Sequence, residues 1–440
     1  MAVVGAGIAG LVAARELHRR GIPVLVFEAG RAVAGMAASH RDVDGYSYDT
    51  GAHFITNRLA REIGVLDRCR TVRHYGEAVV LGRKRYGYPF GLLRDRHFVR
   101  SAVETRLRPG DDLRSPVTAA DWFRATYGRA IADEIALPLL QEWSGAPADQ
   151  LSRAVGEKFP TSIATTIGLR LAGKVTRRAV AVGYCRERPQ SARVWHVYPE
   201  HGVATLCDEI ARELGDRVRL ESPVERIVVE DGIARGVRVG GEEIEAAAVV
   251  STAPVHVLPK LVEGTKVLEH LARFRYRPMV FVNMRFTGRG HLPDVVTWTP
   301  EARFPFFRLT ETPLSMPWHA PDGHTLVMAD IGAEVGDEHW AMDDDALGKL
   351  CLEHVVDIIP DAVIRYRGCR VVRTPIAYPV FHMDYEGERQ AFAHTTGVER
   401  LVSIGRNGEF AHILMEDVYW RTVDRMAVLA RDLEGRLRPS

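Results

Sequence analysis

The opening segment constrains this chain more than any other part of it. Ala2-Val3-Val4 leads into Gly5-Ala6-Gly7-Ile8-Ala9-Gly10, a helical stretch runs to Arg20, and Gly21-Ile22-Pro23 breaks it before Val24-Leu25-Val26-Phe27. The order is strand, turn, helix, strand, with the glycines in G-x-G-x-x-G register. Gly5 allows a tight turn, Gly7 lets a pyrophosphate approach the backbone, and Gly10 lets the helix pack close to the strand. The helix start, Ala9 included, offers free N–H groups and a partial positive charge to phosphates. Glu28 stands 18 residues after Gly10 at the end of the second strand. A carboxylate there accepts both hydrogens of an adenosine ribose diol and repels a 2′-phosphate. Glycines alone would fit a plain structural turn; the flanking strands and the acid make dinucleotide binding the expectation.

Composition sets outer bounds. A chain of 440 residues is too long for one core, so two or more lobes are expected. The 58 basic and 57 acidic residues are mixed along the chain for a net charge of +1. That balance gives no global field for nucleic acid or an anionic membrane. Cys69, Cys185, Cys207, Cys351 and Cys369 are scattered without a C-x-x-C pair. They read as reduced thiols, and neither a disulfide framework nor a metal site is expected. No apolar run reaches the roughly 18–20 residues that span a bilayer. With the folding motif starting at once, no signal peptide and a cytoplasmic location are expected. The oligomeric state stays open.

After Glu28 the chain reads Ala29-Gly30-Arg31-Ala32-Val33-Ala34-Gly35-Met36-Ala37-Ala38-Ser39. This resembles the E-x-x-x-x-x-G-G-x-x-x-S extension of the amine oxidase, protoporphyrinogen oxidase and phytoene desaturase superfamily, with Ala34 replacing the first paired glycine. The resemblance implies non-covalent FAD, with Ala29, Arg31, Gly35 and Met36 along the cofactor. Ala34 should narrow backbone freedom without abolishing the turn. Tyr48-Asp49-Thr50-Gly51-Ala52-His53-Phe54 is similar to the D-x-G-x-H strand of these flavoproteins, which implies His53 near the isoalloxazine. Val224 corresponds to a valine that binds the adenine end through its backbone. Ile404-Gly405-Arg406-Asn407-Gly408-Glu409-Phe410, followed by Met415-Glu416-Asp417, is similar to a segment of UDP-galactopyranose mutase-like relatives. It implies Gly405 and Arg406 at the cofactor, and a helix N-terminus at Met415 facing the flavin N1–O2 edge. A positive helix end favours the anionic reduced flavin. No cysteine lies in that segment, so no thioether linkage is expected.

The implied fold class is α/β: a Rossmann-type (GR2-like) FAD-binding lobe, an antiparallel-sheet substrate domain and a helical insertion. The expected division is FAD-binding at 1–95, helical insertion at 96–195, FAD-binding again at 196–264, substrate-binding sheet at 265–384 and a C-terminal FAD-binding part at 385–440. Strands are expected at 279–286, 295–299, 304–310, 325–331 and 364–372, and Pro138 is expected to break a helix. The stretch 161–182 carries Arg170, Lys174, Arg177 and Arg178 among apolar residues, which fits a solvated face, a membrane-surface helix or a grip on an acidic ligand.

Several residues are candidates for chemistry. Tyr198-Pro199-Glu200-His201-Gly202 resembles a Y-P-x-G-G turn that lies under the flavin, which implies an imidazole, His201, close to the reacting centre; a surface histidine in a turn is the plainer alternative. Arg308, in an F-x-x-x-R strand, would hold a carboxylate or phosphate if it faced the site. Trp143 and Glu142 belong to a W-x-x-x-P segment that is either a helix joint or a substrate contact. Arg373 and Tyr378-Pro379 resemble an element near the substrate mouth. The resulting expectation is an FAD-dependent oxidoreductase passing hydride from a small organic substrate to flavin N5. The alternative is a redox-neutral mutase on a nucleotide sugar, with Arg308, Arg275 or Arg277 gripping the diphosphate. An N5-linked lysine of the monoamine oxidase kind has no evident counterpart.

Overall fold

In the computed structural model, which describes residues 1–88, 90–107, 115–158 and 163–437, the opening segment folds as strand Ala2–Val4, helix Ile8–Arg19 and strand Leu25–Phe27. The helix is buried all round from Ala9 to Leu17. It packs against helices Thr205–Leu214 and Met415–Leu437. Buried Arg15 donates to the Tyr419 hydroxyl at 3.0 Å across the second contact.

Five short strands form one parallel sheet in the order Val218–Arg219, Leu25–Phe27, Ala2–Val4, Val249–Ser251, Leu401–Ser403. Its central strands are small and apolar, as a sheet covered on both faces requires. The lobe closes only when the last of these distant segments arrives, so its core depends on the whole chain.

A seven-stranded sheet stands beside it, in the order Tyr366–Pro379, Tyr276–Thr287, His324–Gly332, Arg308–Thr310, Val296–Trp298, Glu77–Leu81, Lys84–Tyr88. All pairs are antiparallel except Val296–Trp298 with Glu77–Leu81. The strand expected from 304 begins only at Arg308, because Phe304, Phe306 and Phe307 turn into the core instead of alternating. The hairpin 77–88 falls within the expected first cofactor segment, 1–95. It extends this second sheet instead, burying Ala78, Val79 and Val80 there.

The intervening helices include Arg96–Leu107, Ala119–Tyr127, Leu137–Ser144 and Ile163–Thr176. Thr118 and Asp121 cap the second reciprocally. Pro138 lies in the first turn of Leu137–Ser144, where its missing N–H costs little, and the π-helical turn Ala132–Ala136 precedes it. The basic stretch, whose first residues at 161 and 162 lie outside the described ones, packs on the protein's own aromatic rings. Arg170 lies over Tyr75, Lys174 over Phe90 and Arg178 over Trp195. Among the described residues no helix is long and apolar enough to cross a membrane. No group of three or more His, Cys, Asp or Glu side chains there could hold a metal ion.

Candidate functional site

The helix Ile8–Arg19 starts at Gly7 without a side-chain cap, so its first amides face outward unpaired by any cap. A Cβ at Gly7 would meet nothing closer than the Ala34 carbonyl at 3.9 Å, so the glycine leaves an open approach. At Gly10 a Cβ would lie 2.0 Å from the Gly5 carbonyl oxygen, so this position is closed to any other residue. Glu28 accepts from the Ala6 amide at 2.7 Å and the Gly30 amide at 2.8 Å. Ala34 takes a left-handed φ of 93°, a conformation that costs a residue with a side chain about 1 kcal/mol or more. The expected turn therefore forms despite the alanine. Gly405, from the far end of the chain, presses on Ala9; a Cβ there would stand 2.7 Å from the Ala9 Cβ. The two sequence motifs thus meet.

They line one end of a cavity of about 430 Å³. Of the residues expected at a cofactor, Gly5, Gly7, Ala9, Glu28, Gly35, Met36, Gly405, Arg406 and Met415 line it, and Gly10 lies behind the turn. Both His53 and Arg308 line it too. Four expected residues do not reach it. Ala29 is exposed, and Val224 is half-buried at the start of its strand. Arg31 is 90% exposed and pairs with Glu221 at the surface. His201 is exposed because Gly202 takes the inward position of that turn, where a Cβ would strike Ser39 at 2.5 Å; the imidazole is turned to solvent.

The charged groups of the cavity differ in kind. Arg406 donates from Nη2 to the Ala377 carbonyl at 3.0 Å and lies 5.1 Å from the centre of the Tyr378 ring. Its Nε is buried without a partner, and it forms no ion pair among the described residues. Burial lowers its pKa. Arg308, by contrast, is hydrogen-bonded to fully buried Asp330 and lies over Trp298. Burial works against the Arg308 charge, but Asp330 overrides it and the guanidinium pKa is raised. His53 Nε2 lies 3.1 Å from the Thr50 carbonyl. A carbonyl can only accept, so Nε2 carries the proton and Nδ1 the lone pair. Burial lowers the His53 pKa, leaving the ring neutral at pH 7.

Aromatic side chains close the rest. Trp143 stacks on Tyr378 at 6.1 Å, with His412 5.5 Å from Trp143 and 5.0 Å from Tyr378. Tyr184, Phe281, Trp298 and Phe307 complete the wall. Trp143 therefore faces the cavity and Glu142 does not. Of the mouth element, Tyr378 lines the cavity, whereas Arg373 is spent on the Trp340 and Met342 carbonyls and Asp344. Arg275 and Arg277 both pair with Glu334 and lie outside the lining. Tyr184, Phe281 and Trp298 had no signature in the sequence, since each comes singly from a different segment, whereas Phe307 and His412 lie at unspecified positions inside the segments that carry Arg308 and Arg406.

A glycine-lined cradle on a parallel sheet, opening onto an aromatic cavity walled by a second sheet, defines a two-lobed protein of the Rossmann-type nucleotide-cofactor class. Residues 8–405 match the family of flavin containing amine oxidoreductases, and the chain belongs to that family. Membership implies a flavin cofactor. The chain is 28% identical over 206 residues to protoporphyrinogen oxidase 2 of Arabidopsis thaliana, covering 42% of this chain and 40% of that one. It is 27% identical over 317 residues to a zeta-carotene-forming phytoene desaturase of Myxococcus xanthus, covering 66% and 58%. These matches thus span 40% and 58% of the relatives' own lengths. The fold is similar to that of reduced UDP-galactopyranose mutase, with a TM-score of 0.79 over 98% of this chain and 95% of that one, at 17% identity.

Proposed function

We propose that this protein is an FAD-dependent oxidoreductase that holds FAD non-covalently and oxidises a small organic substrate. The carrying observation is the single cavity that joins the uncapped helix start and Arg406 to the wall of Trp143, Phe281, Trp298, Phe307 and Tyr378. The residues fit the dinucleotide. Gly7 leaves open the space a pyrophosphate needs, and the helix start supplies N–H donors to it. Glu28 has lone pairs left beyond its two amide contacts for ribose hydroxyls. Arg406 is a cation with a buried, unpartnered Nε and no ion pair among the described residues, and a phosphate or the anionic flavin edge would supply the anion. The helix Met415–Leu437 starts at the cavity and adds its positive end.

When bound, the flavin supplies the two-electron acceptor at N5. The chain's own part is to orient the substrate carbon and exclude water, and hydride transfer asks for those more than for a strong acid–base pair. The aromatic wall serves both ends. Among the described residues no lysine lines the cavity, and two histidines do: His53, with its Nδ1 lone pair, and His412 in the aromatic stack. The redox-neutral mutase reading finds less support, because the three arginines considered for a diphosphate are already held, Arg308 by Asp330 and Arg275 and Arg277 by Glu334.

An absorbance spectrum of the purified protein tests the reading. Flavin bands, released by heat as FAD, and bleaching on anaerobic addition of an oxidisable amine or alcohol are expected. A colourless protein that takes up no FAD would sink it. Binding of a nucleotide sugar by the reduced protein, with isomerisation and no net electron transfer, would favour the mutase instead.

A further inference from the structure

Glu77 sits behind the cavity wall and holds two chains of contacts that end in it. Its Oε2 accepts from Trp298 Nε1 at 2.9 Å, and its Oε1 accepts from the Tyr75 hydroxyl at 2.9 Å. The Tyr75 oxygen accepts in turn from the Tyr184 hydroxyl at 3.3 Å. Trp298 and Tyr184 line the cavity, whereas Tyr75 and Glu77 do not. A phenol has one proton to give. With the Tyr75 proton committed to Glu77 and the Tyr184 proton to Tyr75, the Tyr184 oxygen has only lone pairs left to offer. The direction of the whole chain is set by the carboxylate at its end, which in its ionised form can only accept.

The surroundings hold this arrangement. The Tyr75 ring packs edge-on to Phe54 at 4.8 Å, and Tyr184 packs against His196 at 4.3 Å. The Arg170 guanidinium lies 5.5 Å from the Tyr75 ring centre, donates to the Tyr75 carbonyl at 3.0 Å and stands 4.0 Å from Glu77. Burial pushes the Tyr184 phenol up to about 12, so it keeps its proton at neutral pH. The Glu77 side chain is 22% exposed, which gives its carboxylate access to water.

We propose that Tyr184, Tyr75 and Glu77 form a proton relay from the cavity to the surface, with Tyr184 accepting a hydrogen bond from a substrate O–H or N–H. The proposal rests on the oxidoreductase reading above. When hydride leaves the substrate carbon for the flavin, a double bond forms between that carbon and its oxygen or nitrogen, and the O–H or N–H bond breaks. That proton passes to the Tyr184 oxygen as the Tyr184 proton passes to Tyr75 and the Tyr75 proton to Glu77. The substrate loses two electrons, the flavin gains them with the hydride, and neutral Glu77 then returns its proton to water. Tyr184 is the catalytic residue of the three; Tyr75 and Glu77 are positioning residues that act through it.

The test reads binding, on the FAD-loaded protein, with benzyl alcohol and benzyl methyl ether. The two differ in one O–H that only the alcohol can donate. The wild-type protein is expected to bind the alcohol about fivefold more tightly, the worth of one neutral hydrogen bond. Tyr184→Phe should bring the two affinities together. Tyr75→Phe removes the acceptor for the Tyr184 proton, which then turns to the cavity, so the ether should gain affinity while Tyr184→Phe shows no such gain. A purely structural role for Tyr75 would weaken both ligands alike. An ether bound as well as the alcohol by wild type, a ratio that Tyr75→Phe leaves unmoved, or no binding of either ligand would overturn the relay. Flavin content in the same samples separates the two ideas. A yellow protein without the donor preference overturns the relay alone, and a colourless one overturns the flavin reading.

Discussion

Arg308 and Asp330 stand directly opposite each other on neighbouring antiparallel strands, and their side chains are hydrogen-bonded inside the cavity wall. Asp330 is fully buried, and its second oxygen and the Arg308 Nε have no partner. The cation that sequence singled out as an anion grip is therefore already neutralised. Arg406 is the cavity arginine without an ion pair among the described residues.

Removing Asp330 would leave Arg308 buried and uncompensated. Asp330→Ala is expected to cost about 3–5 kcal/mol of stability, measured by urea unfolding of the flavin-free protein. The double variant Arg308→Met, Asp330→Leu should recover most of that loss, because an apolar pair needs no charge compensation. An Asp330→Ala protein as stable as wild type would show that the pair is not desolvated.

The cradle separates space for a ligand from space the fold itself needs. Gly7→Ala should leave the unfolding midpoint of the flavin-free protein in place, since its Cβ meets only the Ala34 carbonyl at an ordinary contact distance of 3.9 Å, yet weaken flavin affinity by about tenfold or more. Gly10→Ala should destabilise the protein by about 2 kcal/mol or more, since its Cβ would collide with backbone at 2.0 Å. Ala34→Gly runs the other way. It relieves about 1–2 kcal/mol of left-handed strain against some added chain entropy, so a gain of about 0.5 kcal/mol is expected by thermal unfolding.

The contrast between these positions marks what sequence could convey. Gly5, Gly7, Gly10 and Glu28 were legible because a strand, a turn and a helix are local, and their spacing encodes the geometry. Gly405 and Arg406 were legible only through resemblance. The rest of the wall was not, because Phe281 and Trp298 sit on strands distant in sequence, Tyr184 and Phe307 lie in loops beside them, and no local period records the pairing that gathers them. The parallel pairing of Glu77, Ala78 and Val79 with Val296, Thr297 and Trp298 is the clearest case. His201 misled for the complementary reason: the turn is present, but its inward position belongs to the neighbouring glycine.

Arg406 yields an outcome that separates binding from folding. Arg406→Met removes a buried cation with no ion pair among the described residues, so the flavin-free protein should be no less stable than wild type. Flavin affinity, measured by calorimetric titration with FAD, should fall by about 2 kcal/mol, roughly 30-fold, the worth of a charge-assisted contact. A loss of stability without a loss of affinity would place its role in the fold alone.

The buried histidines set an acid limit on folding. Burial lowers His196 to about 3 and His319 to about 4, and it leaves His196 Nε2 and both His319 ring nitrogens without partners. In the unfolded chain each would titrate near the ordinary value of about 6.5. Below that value the unfolded state binds protons that the folded state refuses, so stability is fully present above pH of about 7 and falls as the pH drops through 6.5. At pH 5 each histidine should have removed about 2 kcal/mol relative to pH 7. Urea unfolding of the flavin-free protein at the two pH values measures the sum. A His319→Gln variant should lose about 2 kcal/mol less than wild type over the same interval. Identical losses in the two proteins would mean that water reaches the His319 ring and that its charge is tolerated in the fold.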